Sequence, residues 1–183
     1  MTKDEMKKAV CRAIDEAAET IHETVLRIES EPELGYKETK TASKVESYMK
    51  ELGLMPQTGL ALTGVKTCVD GGKKGPAVAV LAELDAVGTP DSPKADPLTG
   101  AAHTCGHFLQ MASMLAACTG IVRSGVMKDL AGSAVFFAVP AEEYVEIDYR
   151  KRLVKEGKIH FLGGKSELVY EGHFDDIDMA MMM

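Results

Sequence analysis

The chain has 183 residues, 45% apolar and 27% charged, with a formal net charge of −7 and an isoelectric point near 5.3. That balance excludes a disordered polypeptide and suits one globular domain with a sizeable core. The acidic excess argues against nucleic acid or an anionic membrane as a partner, because phosphates are bound by clustered Lys and Arg.

The opening stretch, MTKDEMKKAVCRAIDEAAET, carries charge at every turn and has no uninterrupted apolar run of the kind a secretory signal needs. No segment is long enough in apolar residues to span a bilayer. Thr2-x-x-Glu5 is a capping-box pattern, and Ala9, Ile14, Ala17, Ile21 and Val25 follow in loose helical spacing, predicting one long amphipathic helix to about Ile28. After the turn Glu31-Pro32-Glu33-Leu34-Gly35, a second helix from about Lys37 to Leu52 carries Ala42, Val45, Met49 and Leu52 on one stripe and stops at Gly53.

From Leu62 to Asp70 the pattern becomes short and β-branched. Gly71 to Pro76 supplies a turn, and AVAVLA (Ala77 to Ala82) reads as a strand buried on both faces. The loop from Gly88 to Gly100 holds three of the seven prolines, and a helical stretch from about Gly106 to Val122 follows it. A second apolar run, AVFFAV (Ala134 to Val139), ends abruptly at Pro140-Ala141-Glu142-Glu143. The basic run Arg150-Lys151-Arg152, flanked by Asp148 and Glu156, reads as a solvated face. Met179 to Met183 forms a third candidate strand, whose methionines are better explained by alternation along a buried strand than by copper binding.

Strands alternating with helices predict an α/β fold: a three-layer domain with a central, mostly parallel sheet between helices. In such sheets ligands gather outside the C-terminal strand ends. Three polar clusters fall there: Glu83-Leu84-Asp85, His103-Thr104-Cys105-Gly106-His107 and Glu142-Glu143. The four cysteines, Cys11, Cys68, Cys105 and Cys118, show no CxxC spacing, which suggests neither a disulfide framework nor a zinc ribbon; a reducing cytoplasm fits best.

Cys105 and His107 admit three readings: a metal-ligand pair, a buried thiol beside a helix-start histidine, or a thiolate nucleophile favoured by a helix N-terminus. Adjacent carboxylates after an apolar strand and a proline are either a solvated strand end or a costly pairing whose charge something uses. One can bind a metal while its neighbour shuttles protons to and from water. Asp85 either orients a ligand or serves as a cap or turn residue. Taken together, the three clusters favour one shared site.

The string Pro32-Glu33-Leu34-Gly35-Tyr36-Lys37-Glu38 with Thr41-Ala42, then Glu83-Leu84-Asp85-Ala86, HTCGH and PAEE, resembles the ordered signature of the metallopeptidase family that contains aminoacylases, carboxypeptidase G and the auxin-conjugate amidohydrolases. The likeness is strongest to the branch with aminobenzoyl-glutamate hydrolases, and it runs from about Glu31 to Met183.

The resemblance implies Cys105 as a thiolate bridging two divalent ions, His107 and Glu143 as ligands, Glu142 as general base and Asp85 as a supporting aspartate. It implies hydrolysis of an amide bond in a small N-acyl amino acid or related conjugate; Cys, His and Glu ligands suit zinc, with manganese or cobalt as alternatives. Three departures stand out: Glu83 where peptidase members have His, CGHFLQ with Gln110 where many amidohydrolases read CGHDGH, and an end at Met183 before the family's next His ligand.

Residues 1–183 are therefore expected to form the N-terminal portion of the catalytic domain, without the lid domain and C-terminal strands, and inactive alone; the full-length enzyme leaves room for a homodimer. Two rivals remain, a non-catalytic binding or assembly module derived from this fold and a thiol hydrolase using Cys105 and His107.

Overall fold

The computed structural model describes residues 1–183. Helix α1 (Lys3–Glu16) opens with the expected capping box: Thr2 Oγ1 accepts from the Glu5 amide at 3.3 Å and the Glu5 carboxylate accepts from the Thr2 amide at 2.7 Å. The single long helix expected here is two. Ala17 leaves helical geometry (φ −103°, ψ 1°), and α2 (Ala18–Glu29) follows it. Helix α3 (Thr39–Glu51) buries Val45 and Met49 and ends before Gly53, whose φ of 81° suits glycine alone. Its first turn is capped from a distance by Glu33, whose carboxylate accepts the amides of Lys40 and Thr41 at 3.1 and 2.8 Å.

Strands β1 (Gln57–Leu60) and β2 (Gly64–Asp70) form a hairpin, and β3 (Ala77–Glu83) follows the Gly-rich turn. A small pair, β4 (Val87–Gly88) and β5 (Ala101–Ala102), closes the proline-rich loop before α4 (His107–Ser124). Then come β6 (Ser133–Val139), α5 (Ile147–Lys155), α6 (Gly164–Tyr170) and β7 (Met179–Met182). The main sheet has the order β1-β2-β6-β3-β7, and β2 alone runs against the other four strands. The mostly parallel sheet is thus as expected; β1, the β4/β5 pair, α5 and α6 had no clear periodic signal.

Strand β6 shows how the layers form. Phe136 and Ala138 face a core built with Ile21, Val25 and Ile28 of α2, Val45 and Met49 of α3, and Met111, Met114, Leu115 and Cys118 of α4. Val135, Phe137 and Val139 point the other way, onto Leu153 of α5, Leu168 of α6 and Ile159 of the turn between them. A sheet apolar on both faces must be covered on both, which gives the three layers. Both α1 and α2 lie on α4. The approach is close: a Cβ on Gly120 would meet Val10 Cγ1 at 2.8 Å.

Two surface expectations need correction. Strand β7 pairs only with β3, at the sheet edge, and its methionines are exposed rather than buried: Met179 54%, Met181 58%. Arg150 is fully buried, not part of a solvated basic face, while Lys151 and Arg152 are exposed. No helix is long and apolar enough to cross a membrane.

Candidate metal centre

Parallel pairing of β3 with β6 sets Glu83 beside Val139, so both strands end at the same level. Glu83 and Asp85 leave one strand end and Pro140 to Glu143 leave the other, side by side. Helix α4 starts above them at His107, after Gly106, whose φ of 95° turns the chain sharply between Cys105 and His107.

His107 is the hub. Its Nδ1 lies 2.8 Å from the main-chain carbonyl of Asp85; a carbonyl can only accept, so Nδ1 carries the proton. Nε2 is thereby left facing the acids, 2.8 Å from Glu83 Oε2, 3.8 Å from Glu142 Oε2 and 3.9 Å from Glu143 Oε1. The Asp85 carboxylate accepts the Glu143 amide on Oδ2 at 2.9 Å, and its buried Oδ1 has no hydrogen-bond partner. Two sets of ligand atoms converge within 4.8 Å: Cys105, His107 and Glu143, and Glu83, His107 and Glu142. All five residues singled out in the sequence therefore meet at one sheet edge. Gln110, the departure noted above, accepts the Glu83 amide at 3.2 Å. His103 is buried with both ring nitrogens unpartnered; burial, then the charge on His107, hold it down to about 4.

The electrostatics are those of an acid-rich pocket. Burial disfavours ionised Glu83, but hydrogen bonds from His107 and Lys165 outweigh it and hold the carboxyl down at about 2. Burial likewise opposes charge on His107, yet Asp85, Cys105 and Glu83 together drive its pKa well up. Glu142 is pushed upward by burial and by the charge of Glu83. A thiol, an imidazole with Nε2 aimed inward, several carboxylates and an orphaned carboxylate oxygen are a donor set that fits a borderline divalent cation such as zinc.

A second group of residues sets the height of the acidic loop. Ala141 sits at φ 53°, costly for a residue with a Cβ, and is clamped from three directions. Its amide donates to Glu38 Oε1 at 2.7 Å, and its carbonyl accepts from the Gly164 amide at 3.1 Å and from Arg150 Nη1 at 3.3 Å. Arg150 also donates to the carbonyls of Leu162, at 2.7 Å, and Glu143, between the rings of Tyr36 and Tyr144. Gly35 must be glycine, because a Cβ there would sit 2.8 Å from Ala141 Cα and collide with Arg150. Glu38 is fully buried, and burial plus the charge of Asp85 push it up to about 7.

Glu38, Arg150 and Lys165 were not identified as site residues from the sequence. Glu38 was visible only as part of a signature string, and Arg150 looked like surface. Lys165 was announced by nothing but the preceding Gly163-Gly164.

No family model matches the chain. The resemblance read from the motifs holds nonetheless: the homologues are amidohydrolases, carboxypeptidases and IAA-amino acid hydrolases. Thermostable carboxypeptidase 2 of Saccharolobus solfataricus is 32% identical over 136 residues, covering 72% of this chain and 34% of that protein. The N-acyl-L-amino acid amidohydrolase of Geobacillus stearothermophilus is 27% identical over 184 residues, covering 99% of this chain and 44% of that protein. Among solved structures, a dinuclear metal-binding peptidase of the M20 family from Bacillus subtilis superposes with a TM-score of 0.67 at 22% identity, covering 95% of this chain and 42% of that one. The chain thus spans between a third and under half of the length of these relatives.

Proposed function

On the strength of this homology to amidohydrolases and carboxypeptidases, we propose that the chain carries the nucleophile-generating part of a metal-dependent amidohydrolase that cleaves the amide bond of a small N-acyl amino acid or related conjugate. The observation that carries the reading is the convergence of Cys105, His107 and Glu143 while the other nitrogen of His107 is spent on the Asp85 carbonyl. Cys105, His107 and Glu143 would hold a divalent ion, zinc before manganese or cobalt, as one of a pair. Such an ion supplies Lewis acidity toward the scissile carbonyl and lowers the pKa of nearby water.

The chain's own residues do the rest. Asp85 fixes the tautomer of His107 and, through the Glu143 amide, the position of a second ligand. Glu142 is partly exposed at the mouth of the cluster, with a carboxyl pushed above its ordinary value, which suits a group that must first accept and then return a proton. It takes the proton from the attacking water and delivers it to the leaving nitrogen, so that the amine departs neutral. Glu38 and Arg150 hold the loop that carries both glutamates.

Zinc or manganese content and hydrolysis, measured on the full-length protein with a panel of N-acyl amino acids and aminobenzoyl-glutamate, test this. The expected result is activity that rises with added metal and is abolished by a chelator. Activity that survives chelation but is lost on alkylating Cys105 would replace this reading with a thiol mechanism. Absence of both metal and hydrolysis would favour a non-catalytic module.

A further inference from the structure

Lys165 is a cation already placed inside the acidic cluster. Its ammonium pairs with Glu83, whose side chain is only 3% exposed and whose other oxygen faces His107 Nε2. Little about Lys165 is accidental. Helix α6 is docked on the acidic loop: the Gly164 amide donates to the Ala141 carbonyl, and a Cβ on Gly164 would collide with the Pro140 carbonyl. The buried Glu167 then ties the incoming turn to the helix, its carboxylate accepting the amides of His160 and Phe161 at 2.6 and 2.7 Å. The lysine one residue after Gly164 is thus delivered over Glu83 by packing rather than by chance reach.

The two convergent ligand sets, Cys105–His107–Glu143 and Glu83–His107–Glu142, share His107. With Nδ1 committed to the Asp85 carbonyl, only Nε2 can offer a lone pair, on giving up its proton to make room for a cation, so the imidazole serves one ion at a time. The sets are therefore alternatives, and one contains the thiol while the other does not. An ammonium on Glu83 engages one of the second set's carboxylates and repels a dication there.

We propose that Lys165 is a built-in counter-ion that neutralises Glu83 and so steers the divalent ion bound by His107 onto the Cys105–Glu143 side. The proposal rests on the metal-centre reading above and adds to it a residue that decides where the ion sits.

Cobalt(II) reports the answer directly, because thiolate ligation gives a sulfur-to-metal charge-transfer absorption that carboxylate and imidazole do not. With sub-stoichiometric cobalt, the unaltered protein and Lys165→Arg are expected to show the thiolate band. Lys165→Met should lose much of it, with the ratio of thiol-bound to carboxylate-bound ion falling about tenfold, the scale of one lost ion contact. Removing Glu83 as well, in Glu83→Gln with Lys165→Met, should restore the band, since the competing carboxylate is then gone. Lys165→Gln asks the same question should the Met variant not fold.

An unchanged band in both neutral variants overturns the proposal while leaving the metal centre standing. A loss that persists in the double variant overturns it too, as a general charge effect. If the unaltered protein itself shows no thiolate band, Cys105 is no ligand and the metal-centre reading falls with it.

Discussion

His107 gives its Nδ1 proton to the main-chain carbonyl of Asp85 at 2.8 Å, while the carboxylate of the same Asp85 takes the amide proton of Glu143 at 2.9 Å. One buried residue therefore aims two ligands that lie 36 positions apart in the sequence, one from α4 and one from the end of β6. Asp85→Ala keeps the carbonyl but strands the Glu143 amide. It is expected to weaken zinc binding by about 10- to 100-fold, the usual cost of losing a group that orients metal ligands. Competition with a chromophoric chelator measures it. Asp85→Asn, which can still accept from Glu143, should fall between the two.

The adjacent glutamates should separate in their effects. Glu142→Gln keeps shape but cannot take a proton from water, so in the active protein metal content should persist while turnover drops by about 10²- to 10⁴-fold. Glu143→Gln should lose metal and turnover together. Metal analysis beside initial rates distinguishes them, and full activity in the Glu142 variant would remove its proposed role.

Glu38 makes stability depend on pH in a defined direction. Its value near 7 in the fold lies above the ordinary 4.5, so between those values the folded chain holds a proton that the unfolded chain has released. The group's contribution is fully present below about pH 4.5 and is lost as pH rises through 7, a swing of about 3 kcal/mol at most. Glu38→Gln imitates the protonated acid: its oxygen can accept from Ala141 and its amide can donate to Thr63, the present hydroxyl partner at 2.7 Å. Urea denaturation at pH 5 and pH 8 should show a smaller loss for the variant than for the unaltered chain. An identical loss would rule out Glu38 as the titrating group.

Arg150 answers three main-chain carbonyls, those of Ala141, Glu143 and Leu162, from inside the protein. Arg150→Met should destabilise by about 3–5 kcal/mol, since buried acceptors lose their donors. Lysine should not rescue it, because a single ammonium cannot reproduce the planar fork. Thermal unfolding checks both. Lys151→Ala and Arg152→Ala, on the exposed side of the same run, should shift stability by no more than about 0.5 kcal/mol.

Legibility in the sequence followed periodicity. The runs AVAVLA and AVFFAV lie in the two neighbouring strands whose ends carry the acids, and the stripe in α3 points to the core. Cys105, His107, Asp85, Glu142 and Glu143 were readable because they fall at strand ends and a helix start, where parallel sheets expose them together. Arg150 was misread because a basic triplet has no periodicity that marks one member as buried; its partners are carbonyls, which the sequence does not display. Lys165 depends on α6 docking through two glycines, and that is a tertiary contact. The interruption at Ala17 escaped because alanine carries no local signal of a helix break. The methionines of β7 were placed inside because alternation cannot distinguish an edge strand from an inner one.

Ala141 gives the sequence signatures a dependence that reading them one by one hides. Glu38 and Gly35 belong to one motif, Arg150 and Gly164 to later helices, and all four meet at this one residue in its left-handed conformation. A change at any one of them alters the seat of the other three. These positions are therefore free to drift only as a set: a substitution at one should be tolerated chiefly alongside a compensating change at another. A library randomised at all four positions should return few solutions, each with its own internally matched combination.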